Sequence, residues 1–231
     1  MGRAGTRLSS KHQLAASDFV DSEVDEDLGR WFHERHLAVD VAFPDGCNIR
    51  LASAHATPGT SKGPGPAHRG VGRRKPRFHT RLAEWMSGWA APFLFGIDAN
   101  TPSVDALDWE RMRFHMPSDG AGPGEDLLLG PEGKALHPAR DLWRAWLDCP
   151  AGARDRDAIP EEGPLARSHQ TGGRWYRYDQ IWATPDLVPT KMSYLFDPAI
   201  SDHSLVSVDL ISSRTVTRSG PELLEILPNS A

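Results

Sequence analysis

The chain of 231 residues has few cysteines, no long apolar run and no excess of positive charge. Cys47 and Cys149 lie far apart in the sequence; they could pair, but they indicate neither a disulfide framework nor a zinc site. No window is long and apolar enough to span a membrane, and the N-terminal residues lack the apolar core of a signal peptide. We therefore expect a cytoplasmic protein with no membrane partner.

The charge balance excludes binding to nucleic acid by bulk electrostatic attraction. The chain has 26 basic and 31 acidic residues, which gives a net charge of −5. Only a local basic patch could therefore attract an anionic partner. Hydrophobic residues make up 39% of the sequence, which is enough for one sizeable core within one or two domains.

Hydrophobic patterning predicts one folded domain at residues 36–211, between a flexible, acidic N-terminal segment at 1–35 and a C-terminal tail at 212–231. Strands alternate with helices along this domain, which predicts a mixed α/β architecture. The predicted strands are residues 36–43, 48–54, 93–98, 174–183, 191–196 and 205–211. The predicted helices are residues 78–89, 104–114 and 139–147, and the predicted long loops are residues 59–77, 115–137 and 149–172.

The segment at 93–102 carries an acid and an amide at the end of an apolar strand. The run Phe-Leu-Phe-Gly-Ile leads into Asp98, Ala99 and Asn100. Because side chains at i and i+2 of an extended chain point the same way, Asp98 and Asn100 can face one site. The carboxylate could bind a hard cation, and the amide could bind a phosphate oxygen or a metal-bound water. An Asx turn at the strand end is the alternative interpretation.

Other predicted strand ends also carry polar side chains. His55 ends one strand, Asp202 and His203 precede the last strand, and Asp179 lies inside an apolar stretch. A buried acid is costly unless it is paired, so we expect Asp179 to have a cationic or hydrogen-bonding partner. A lone histidine at a strand end is more often structural, so each of these residues is weak evidence by itself.

A basic cluster lies in the Gly- and Pro-rich segment at 59–77, which is predicted to be a mobile loop. Arg73, Arg74 and Lys75 form the centre of this cluster. It could be a solubilising loop, or it could be a flexible arm that binds an anionic substrate beside His55. Both interpretations stay open, with Arg73, Arg74 and Lys75 as candidate substrate-binding residues.

Together these strand ends resemble the endonuclease/exonuclease/phosphatase superfamily, which has the fold of pancreatic-type deoxyribonuclease and of the abasic-site exonucleases. Two motifs are specific, an Asp-x-Asn after a strand and a Ser-Asp-His before one; a histidine motif and an Arg-x-Asp motif support them. The resemblance covers roughly residues 36–211. The motifs are Ser53-Ala-His55-Ala-Thr-Pro58, Gly96-Ile-Asp98-Ala-Asn100-Thr-Pro102, Arg177-Tyr-Asp179-Gln-Ile181 and Ser201-Asp202-His203.

The resemblance implies a fold and a chemistry. The fold would be a four-layer α/β sandwich of two packed mixed β-sheets with outer helices, here lacking its N-terminal strands. The chemistry would be the hydrolysis of a phosphate ester, most simply a phosphodiester of nucleic acid, with Mg²⁺ or Mn²⁺ as the cofactor. A phosphomonoesterase or a phospholipase on the same fold is the alternative enzyme.

The resemblance also implies roles at the metal and the phosphate. Asp202 would help to hold the metal, and Asp98 would bind the metal or orient the nucleophile. Asn100 would contact the phosphate. Arg177 would either be structural or touch the phosphate, so it is a further candidate substrate-binding residue.

Two histidines would act on protons in a site of this family. His203 would face the scissile phosphate as a base or an electrostatic stabiliser, and Asp179 would accept a hydrogen bond from its other ring nitrogen. His55 would be an acid for the leaving group. An Asp179–His203 pair would give the buried acid the partner that its strand position requires.

One part of the family's site is missing from the sequence. The family opens with a strand ending in Asn and a second strand ending in Gln-Glu, whose Glu is a principal metal ligand. No such strand pair precedes Leu37, because Glu23, Glu26 and Glu34 do not end apolar strands. We therefore expect a truncated, mis-started or degenerate member, and a non-catalytic binding module remains a third interpretation.

Overall fold

The computed structural model describes residues 35–43, 48–56, 71–90, 92–114 and 124–213. The predicted N-terminal segment up to residue 34, the tail from residue 214 and residues 57–70 of the predicted loop lie outside the described residues. Among the residues that are described, no helix is long and apolar enough to cross a membrane.

Short strands dominate the described part of the chain. The strands are β1 (His36–Ala42), β2 (Asn48–His55), β3 (Phe93–Asp98), β4 (Arg140–Asp141), β5 (His169–Thr171), β6 (Arg174–Tyr176), β7 (Asp179–Ala183), β8 (Leu187–Leu195) and β9 (Leu205–Ser212). The helices are α1 (Val71–Ser87), α2 (Glu125–Leu129), α3 (Leu142–Leu147) and α4 (Ala153–Asp157), with a 3-10 turn at Pro150–Gly152.

A mixed sheet of five strands forms the centre of the fold, in the order β1-β2-β3-β7-β4. Strands β1 and β2 form an antiparallel pair, β2 and β3 run parallel, and β7 is antiparallel to both β3 and β4. Helix α1 is the crossover connection that the parallel pair requires. The first three predicted strands are therefore confirmed.

Helix α1 covers one face of this sheet. Phe78, Leu82 and Met86 follow one another at helical spacing, and all three are buried, as the amphipathic pattern predicts. Phe93, Phe95 and Ile97 belong to the same cluster, since every second side chain of β3 points to the helix. This layer is the larger of the two apolar clusters of the described residues.

The prediction that residues 71–77 belong to a mobile loop is wrong, because α1 begins at Val71. The segment contains Gly72 and Pro76, which are unfavourable inside a helix. Its packing compensates for this composition: the chain passes so close at Gly124 that a side chain there would clash with the carbonyl oxygen of Pro76. Tertiary contact therefore extends the helix beyond what local propensity predicts.

The other face of the sheet is covered by α3 and by the antiparallel pair of β8 and β9. Helix α3 begins after Asp141, whose carboxylate accepts hydrogen bonds from the backbone N–H groups of Trp143 and Arg144. Leu94 and Ile181 of the central sheet pack into the same cluster as α3 and β8. Because both faces of the central sheet are buried, the predicted mixed α/β fold with packed sheets is confirmed.

Three further predictions of elements need correction. Residues 104–114 are not helical; Val104 and Arg113 instead form an isolated β-bridge, with N–H to O=C distances of 3.0 and 2.9 Å. The stretch at 174–183 is two strands, β6 and β7, rather than one. Helices α2 and α4 lie in segments predicted to be loops.

Candidate active site

Three neighbouring strands place polar side chains at one edge of the central sheet. His55 lies opposite Asp98 in the pairing of β2 with β3, and Asp98 lies opposite Asp179 in the pairing of β3 with β7. The loop before β9 adds His203, which contacts Asp179. Strand register therefore brings together three residues that the sequence predicts to be catalytic, and the loop before β9 adds the fourth.

Asp98 has one hydrogen-bonding neighbour and one imidazole neighbour at the centre of this group. Its Oδ1 accepts a hydrogen bond from the backbone N–H of Asn100 at 3.2 Å, and its Oδ2 lies 3.3 Å from Nε2 of His55. Burial raises the pKa of Asp98, and the negative charge of Asp179 raises it further. The Asx-type hydrogen bond is therefore present, and it coexists with a carboxylate that faces the other site residues.

His203 and Asp179 form a hydrogen-bonded pair. Nδ1 of His203 lies 2.8 Å from Oδ2 of Asp179. This hydrogen bond is the main reason that the pKa of His203 is raised to about 9. The imidazole therefore carries a positive charge at neutral pH, and Asp179 has the partner that its position in an apolar stretch predicts.

His55 differs from His203 in its charge. Partial burial lowers the pKa of His55, although the nearby carboxylate of Asp98 acts in the opposite direction. The backbone of His55 is also fixed, since Nη1 of Arg35 donates to its carbonyl oxygen at 3.3 Å. The site therefore holds one neutral and one charged imidazole at neutral pH.

Asn100 has an unusual backbone conformation, with a φ of 51°. Its Nδ2 donates to the carbonyl oxygen of Ala56 at 3.0 Å, and its own carbonyl oxygen accepts from Nζ of Lys75 at 2.6 Å. Nζ of Lys75 also lies 2.9 Å from Oε1 of Glu125. The surrounding helices thus hold Asn100 in this conformation.

Lys75 was predicted to belong to an exposed basic arm, and the structure places it elsewhere. Its relative exposure is 2%, because it lies inside α1 and its ammonium faces Glu125 and Asn100. Burial lowers the pKa of Lys75 and raises that of Glu125. The backbone of Arg73 and Arg74 is also in α1, and their side chains lie outside the described residues.

Arg177 is structural, which is one of the two roles that the motif allows. Its relative exposure is 0%, and its guanidinium donates to both carboxylate oxygens of Asp105, with the shorter distance at 2.6 Å, and to both of Asp141, with the shorter at 2.7 Å. These two carboxylates hold the pKa of Arg177 well above its usual value despite burial. Both carboxylates lie inside the protein, and no part of the Arg177 side chain is exposed. This geometry favours a role in the core over a direct contact with a substrate phosphate.

Sequence reasoning missed His169, which lies beside His203. The two residues form an isolated β-bridge, and their ring centroids are 4.4 Å apart. Nδ1 of His169 lies 3.1 Å from the carbonyl oxygen of Asp202. Neither a motif nor periodicity singles out His169, because its contact with His203 spans 34 residues of sequence and depends on β5.

Ser168 was also missed, although it organises the backbone of the site. Its Oγ accepts hydrogen bonds from the N–H groups of Tyr178 at 2.8 Å and Asp179 at 3.0 Å. Its carbonyl oxygen accepts from the N–H of Ser204 at 2.7 Å. One buried serine therefore ties the start of β7 to the loop that carries His203.

Two groups of side chains could hold a metal ion among the described residues, and in each group the donor atoms lie within 4.8 Å of one another. The first is Asp98, Asp179 and His203, and the second is His169, Asp202 and His203. The two carboxylates of the first group would be stabilised by a hard divalent cation. Asp98 and Asp202, which the motifs imply as joint metal ligands, fall in different groups.

A cavity of about 670 Å³ lies beyond the Asn100 motif, and none of His55, Asp98, Asp179 and His203 lines it. Pro102 and Ser103, which follow the Asn100 motif, form part of its wall together with Tyr176. Its polar wall has both signs of charge, from Arg111, Arg167, Arg174, Glu161 and Glu162. A row of aromatic side chains connects the cavity to the site. The ring centroids of Tyr176 and Tyr178 are 4.9 Å apart, those of Tyr178 and His169 are 5.6 Å apart, and His169 contacts His203.

Comparison with known proteins gives matches among solved structures. No family model matches the sequence, and no curated protein matches it. The similar structures include an endonuclease/exonuclease/phosphatase from Beutenbergia cavernae (18% identity, TM-score 0.43), TDP2 from D. rerio complexed with single strand DNA product (14%, 0.43) and the catalytic domain of APE2 from Xenopus laevis (13%, 0.47).

The matches cover 78%, 81% and 82% of this chain, in the same order. They cover 40%, 65% and 61% of the matched chains, so this chain spans less than two thirds of the length of each. The first match carries the name of the superfamily that the four sequence motifs resemble.

Proposed function

We propose that the chain is a divalent-metal-dependent phosphoester hydrolase, and that its substrate is a phosphodiester of nucleic acid. One observation carries this proposal: a neutral and a charged histidine converge with two carboxylates where β2, β3 and β7 meet. Hydrolysis of an anionic ester needs a proton acceptor, positive charge near the phosphate oxygens and a cation site. This group of side chains can supply all three.

We propose that Asp98 holds the cation, and that Asp202 is the second ligand, as the motifs imply, although the two carboxylates lie in different groups of possible ligands. The bound cation would neutralise charge on the phosphate oxygens. Asp98 is a suitable ligand, because a bound cation would stabilise the ionised carboxylate that burial and the charge of Asp179 disfavour. Mg²⁺ usually keeps several waters, so few protein ligands are needed.

His203 is proposed to face the phosphate as a cation and as a proton donor to the departing oxygen. Its Nδ1 is occupied by Asp179, which leaves the proton on Nε2 for the substrate. Neutral His55 is better suited to accept a proton from the attacking water than to act as the acid that the motif implies. Asn100 keeps one N–H of its amide for a phosphate oxygen, since the other binds Ala56.

The cavity beyond the Asn100 motif supports a nucleic-acid substrate over a small phosphate ester, because only a long substrate could reach it from the site. It offers room for groups that flank the scissile phosphate, and Trp175 and Tyr176 in its wall can stack on bases. Arg167 lies 5.8 Å from the centroid of Trp175 and, with Arg174, can approach phosphates of the same strand. The chain's net charge of −5 makes such local groups necessary.

The test is a cleavage assay with the purified chain, a single-stranded oligonucleotide and bis(p-nitrophenyl) phosphate, with Mg²⁺, with Mn²⁺ and with EDTA. We expect metal-dependent cleavage that Asp98→Asn and His203→Ala each reduce by at least about a hundredfold. Asp209→Asn is the matched control, because Asp209 is an exposed carboxylate on β9, away from the site. Cleavage that survives both site substitutions would disprove the assignment.

The same assay separates the alternatives that the sequence leaves open. Hydrolysis of p-nitrophenyl phosphate without cleavage of either diester would indicate a phosphomonoesterase. Oligonucleotide binding without cleavage would indicate a non-catalytic binding module, which the missing glutamate motif favours. Neither result is expected if His55, Asp98 and His203 act as proposed.

A further inference from the structure

We propose that His169, Asp202 and His203 form a second metal site, one that selects a borderline transition-metal ion such as Zn²⁺ over Mg²⁺ and inhibits hydrolysis when it is occupied. The binding part of this proposal is independent of the proposed function. The inhibitory part rests on it, because His203 and Asp202 belong to both.

The three side chains meet the distance requirement for a shared ion. One donor atom from each lies within 4.8 Å of the others. The backbone holds them there: His169 and His203 form a β-bridge, and Asp202 precedes His203. Asp202 is exposed and both rings are partly exposed, so an ion can reach the group from solvent.

The hydrogen bonds of the two rings leave the right nitrogen atoms free for a metal. Nδ1 of His169 faces the carbonyl oxygen of Asp202, which can only accept, so Nδ1 carries the proton and Nε2 keeps its lone pair. Nδ1 of His203 faces the carboxylate of Asp179 and carries a proton in the same way, and a metal on Nε2 must displace the second proton that this imidazolium holds at neutral pH. Metal-binding histidines typically donate their other N–H to a carboxylate or a backbone carbonyl.

The donor set favours a transition metal over the cation proposed for catalysis. Two imidazole nitrogens and one carboxylate oxygen are typical ligands of Zn²⁺, with a fourth position left for water. Mg²⁺ prefers oxygen ligands in an octahedral arrangement. Stacking of His169 on Tyr178, at 5.6 Å between ring centroids, holds the first imidazole in place before an ion arrives.

Occupation of this site removes two groups from the proposed reaction. An ion on Nε2 of His203 takes the atom that would otherwise face the phosphate. An ion on Asp202 takes a carboxylate that would otherwise bind the hard cation. Zn²⁺ is therefore expected to inhibit Mg²⁺-dependent hydrolysis, and a change at His169 is expected to relieve that inhibition.

The test titrates Co²⁺, a spectroscopic substitute for Zn²⁺, into EDTA-treated and desalted protein, and follows visible absorption. We expect an absorption band that Zn²⁺ abolishes and a large excess of Mg²⁺ does not. His169→Phe keeps a ring to stack on Tyr178 but removes the ligand, so it is expected to weaken Co²⁺ binding at least about tenfold. Asp98→Asn is expected to leave the Co²⁺ band intact.

Inhibition is measured separately, as the Zn²⁺ concentration that halves Mg²⁺-dependent cleavage relative to the zinc-free activity of the same variant. We expect that concentration to rise at least about tenfold in His169→Phe. Equal Co²⁺ binding by the wild type and His169→Phe would overturn the site. Binding without inhibition would overturn its regulatory role. A Co²⁺ band in a protein without hydrolytic activity would support the site and refute the proposed function.

Discussion

At the scale of single residues, the site is defined by two imidazoles that differ in charge. The hydrogen bond from Asp179 raises the pKa of His203 to about 9, whereas burial lowers that of His55. Strand register places His55 and Asp179 on either side of Asp98, and Asp179 holds His203, so a proton acceptor and a proton donor lie in one site. This asymmetry arises from burial and one hydrogen bond, without a metal.

Asp179→Asn is expected to return the pKa of His203 toward its usual value of 6.5, since the main cause of the shift is removed. Titration of the imidazole resonances by NMR measures this shift directly. The wild-type pair stabilises the fold fully below pH 6.5, and its contribution is lost as the pH rises through about 9. Asp179→Asn should therefore lower the free energy of unfolding more at pH 6 than at pH 10, and an equal loss at both would contradict this explanation.

At the same scale, sequence reasoning identified residues that lie in short motifs and missed residues that act through the fold. Asp98, Asp179 and His203 are recognisable because each lies next to a strand with a polar neighbour. His169 and Ser168 have no such signal, since their contacts depend on β5 approaching the loop before β9. The exposed-loop position predicted for Lys75 is wrong, because a basic residue near glycine and proline is usually exposed whereas here it is buried in α1.

At the scale of elements, the buried Lys75 links helix α1 to helix α2 by an ion pair and to the Asn100 turn by a hydrogen bond. Nζ of Lys75 lies 2.9 Å from Glu125 on α2 and 2.6 Å from the carbonyl oxygen of Asn100. Lys75→Met leaves a buried carboxylate unpaired and should destabilise the fold by about 3–5 kcal/mol. In a double-mutant cycle followed by urea unfolding, Lys75→Met with Glu125→Leu should cost less than the sum of the single changes.

Additivity of those two substitutions would show that Lys75 and Glu125 do not interact as described.

A positioning role for Lys75 also predicts a kinetic effect. In Lys75→Met the loss should appear mainly in kcat for the oligonucleotide rather than in KM, because the Asn100 turn is displaced while the cavity wall at 160–164 and 174–177 is unchanged.

Arg177 joins three elements in a second buried network. It connects the start of β7 to Asp141 of β4 and to Asp105 in the turn after β3. Arg177→Met leaves two carboxylates buried without their main partner and should lower the free energy of unfolding by at least about 3–5 kcal/mol. Arg174→Met is the matched control, since Arg174 is exposed, and it should change stability by less than about 0.5 kcal/mol. Equal losses in urea unfolding would refute the network.

The elements that were predicted correctly are those with a strong local pattern. Strand β3 and the buried stripe of α1 follow directly from apolar spacing. The wrong helix at 104–114 has apolar residues at suitable spacing, but its chain is held by Arg144, which donates to the carbonyl oxygen of Ala106 at 2.6 Å and to that of Leu107 at 2.7 Å. Such long-range contacts override local preference, and no window of sequence reveals them.

At the scale of the whole molecule, the fold class and the meeting of strand ends were predictable, and the strand order was not. Polar residues at the ends of four predicted strands form one site only if those strands are neighbours in the fold. The order β1-β2-β3-β7-β4 supplies that condition, with β7 beside β3 although 80 residues separate Asp98 from Asp179. The family resemblance carried this information; periodicity alone did not.

The sheet of β8 and β9 exposes an apolar surface. Leu195 and Leu205 lie opposite each other across the two strands, with relative exposures of 59% and 65%. Exposed apolar pairs on a short sheet promote self-association. The double change Leu195→Thr and Leu205→Thr should therefore reduce association in sedimentation velocity while leaving Tm nearly unchanged.

Val208→Thr is the control for that experiment, because Val208 packs against the cluster of α3 and β8. It should lower Tm and leave association unchanged. Unchanged sedimentation in the double variant would indicate that this surface does not drive association.

The hydrogen bonds to Ser168 allow local opening of the site to be measured by amide hydrogen exchange. Because its Oγ accepts from two successive amides, the N–H groups of Tyr178 and Asp179 are shielded from solvent by one hydroxyl. Amide hydrogen exchange at these two positions should accelerate together in Ser168→Ala, while exchange in α1 stays slow. The exchange rate of these two amides thus measures how often β7, which carries Asp179, separates from the loop that carries His203.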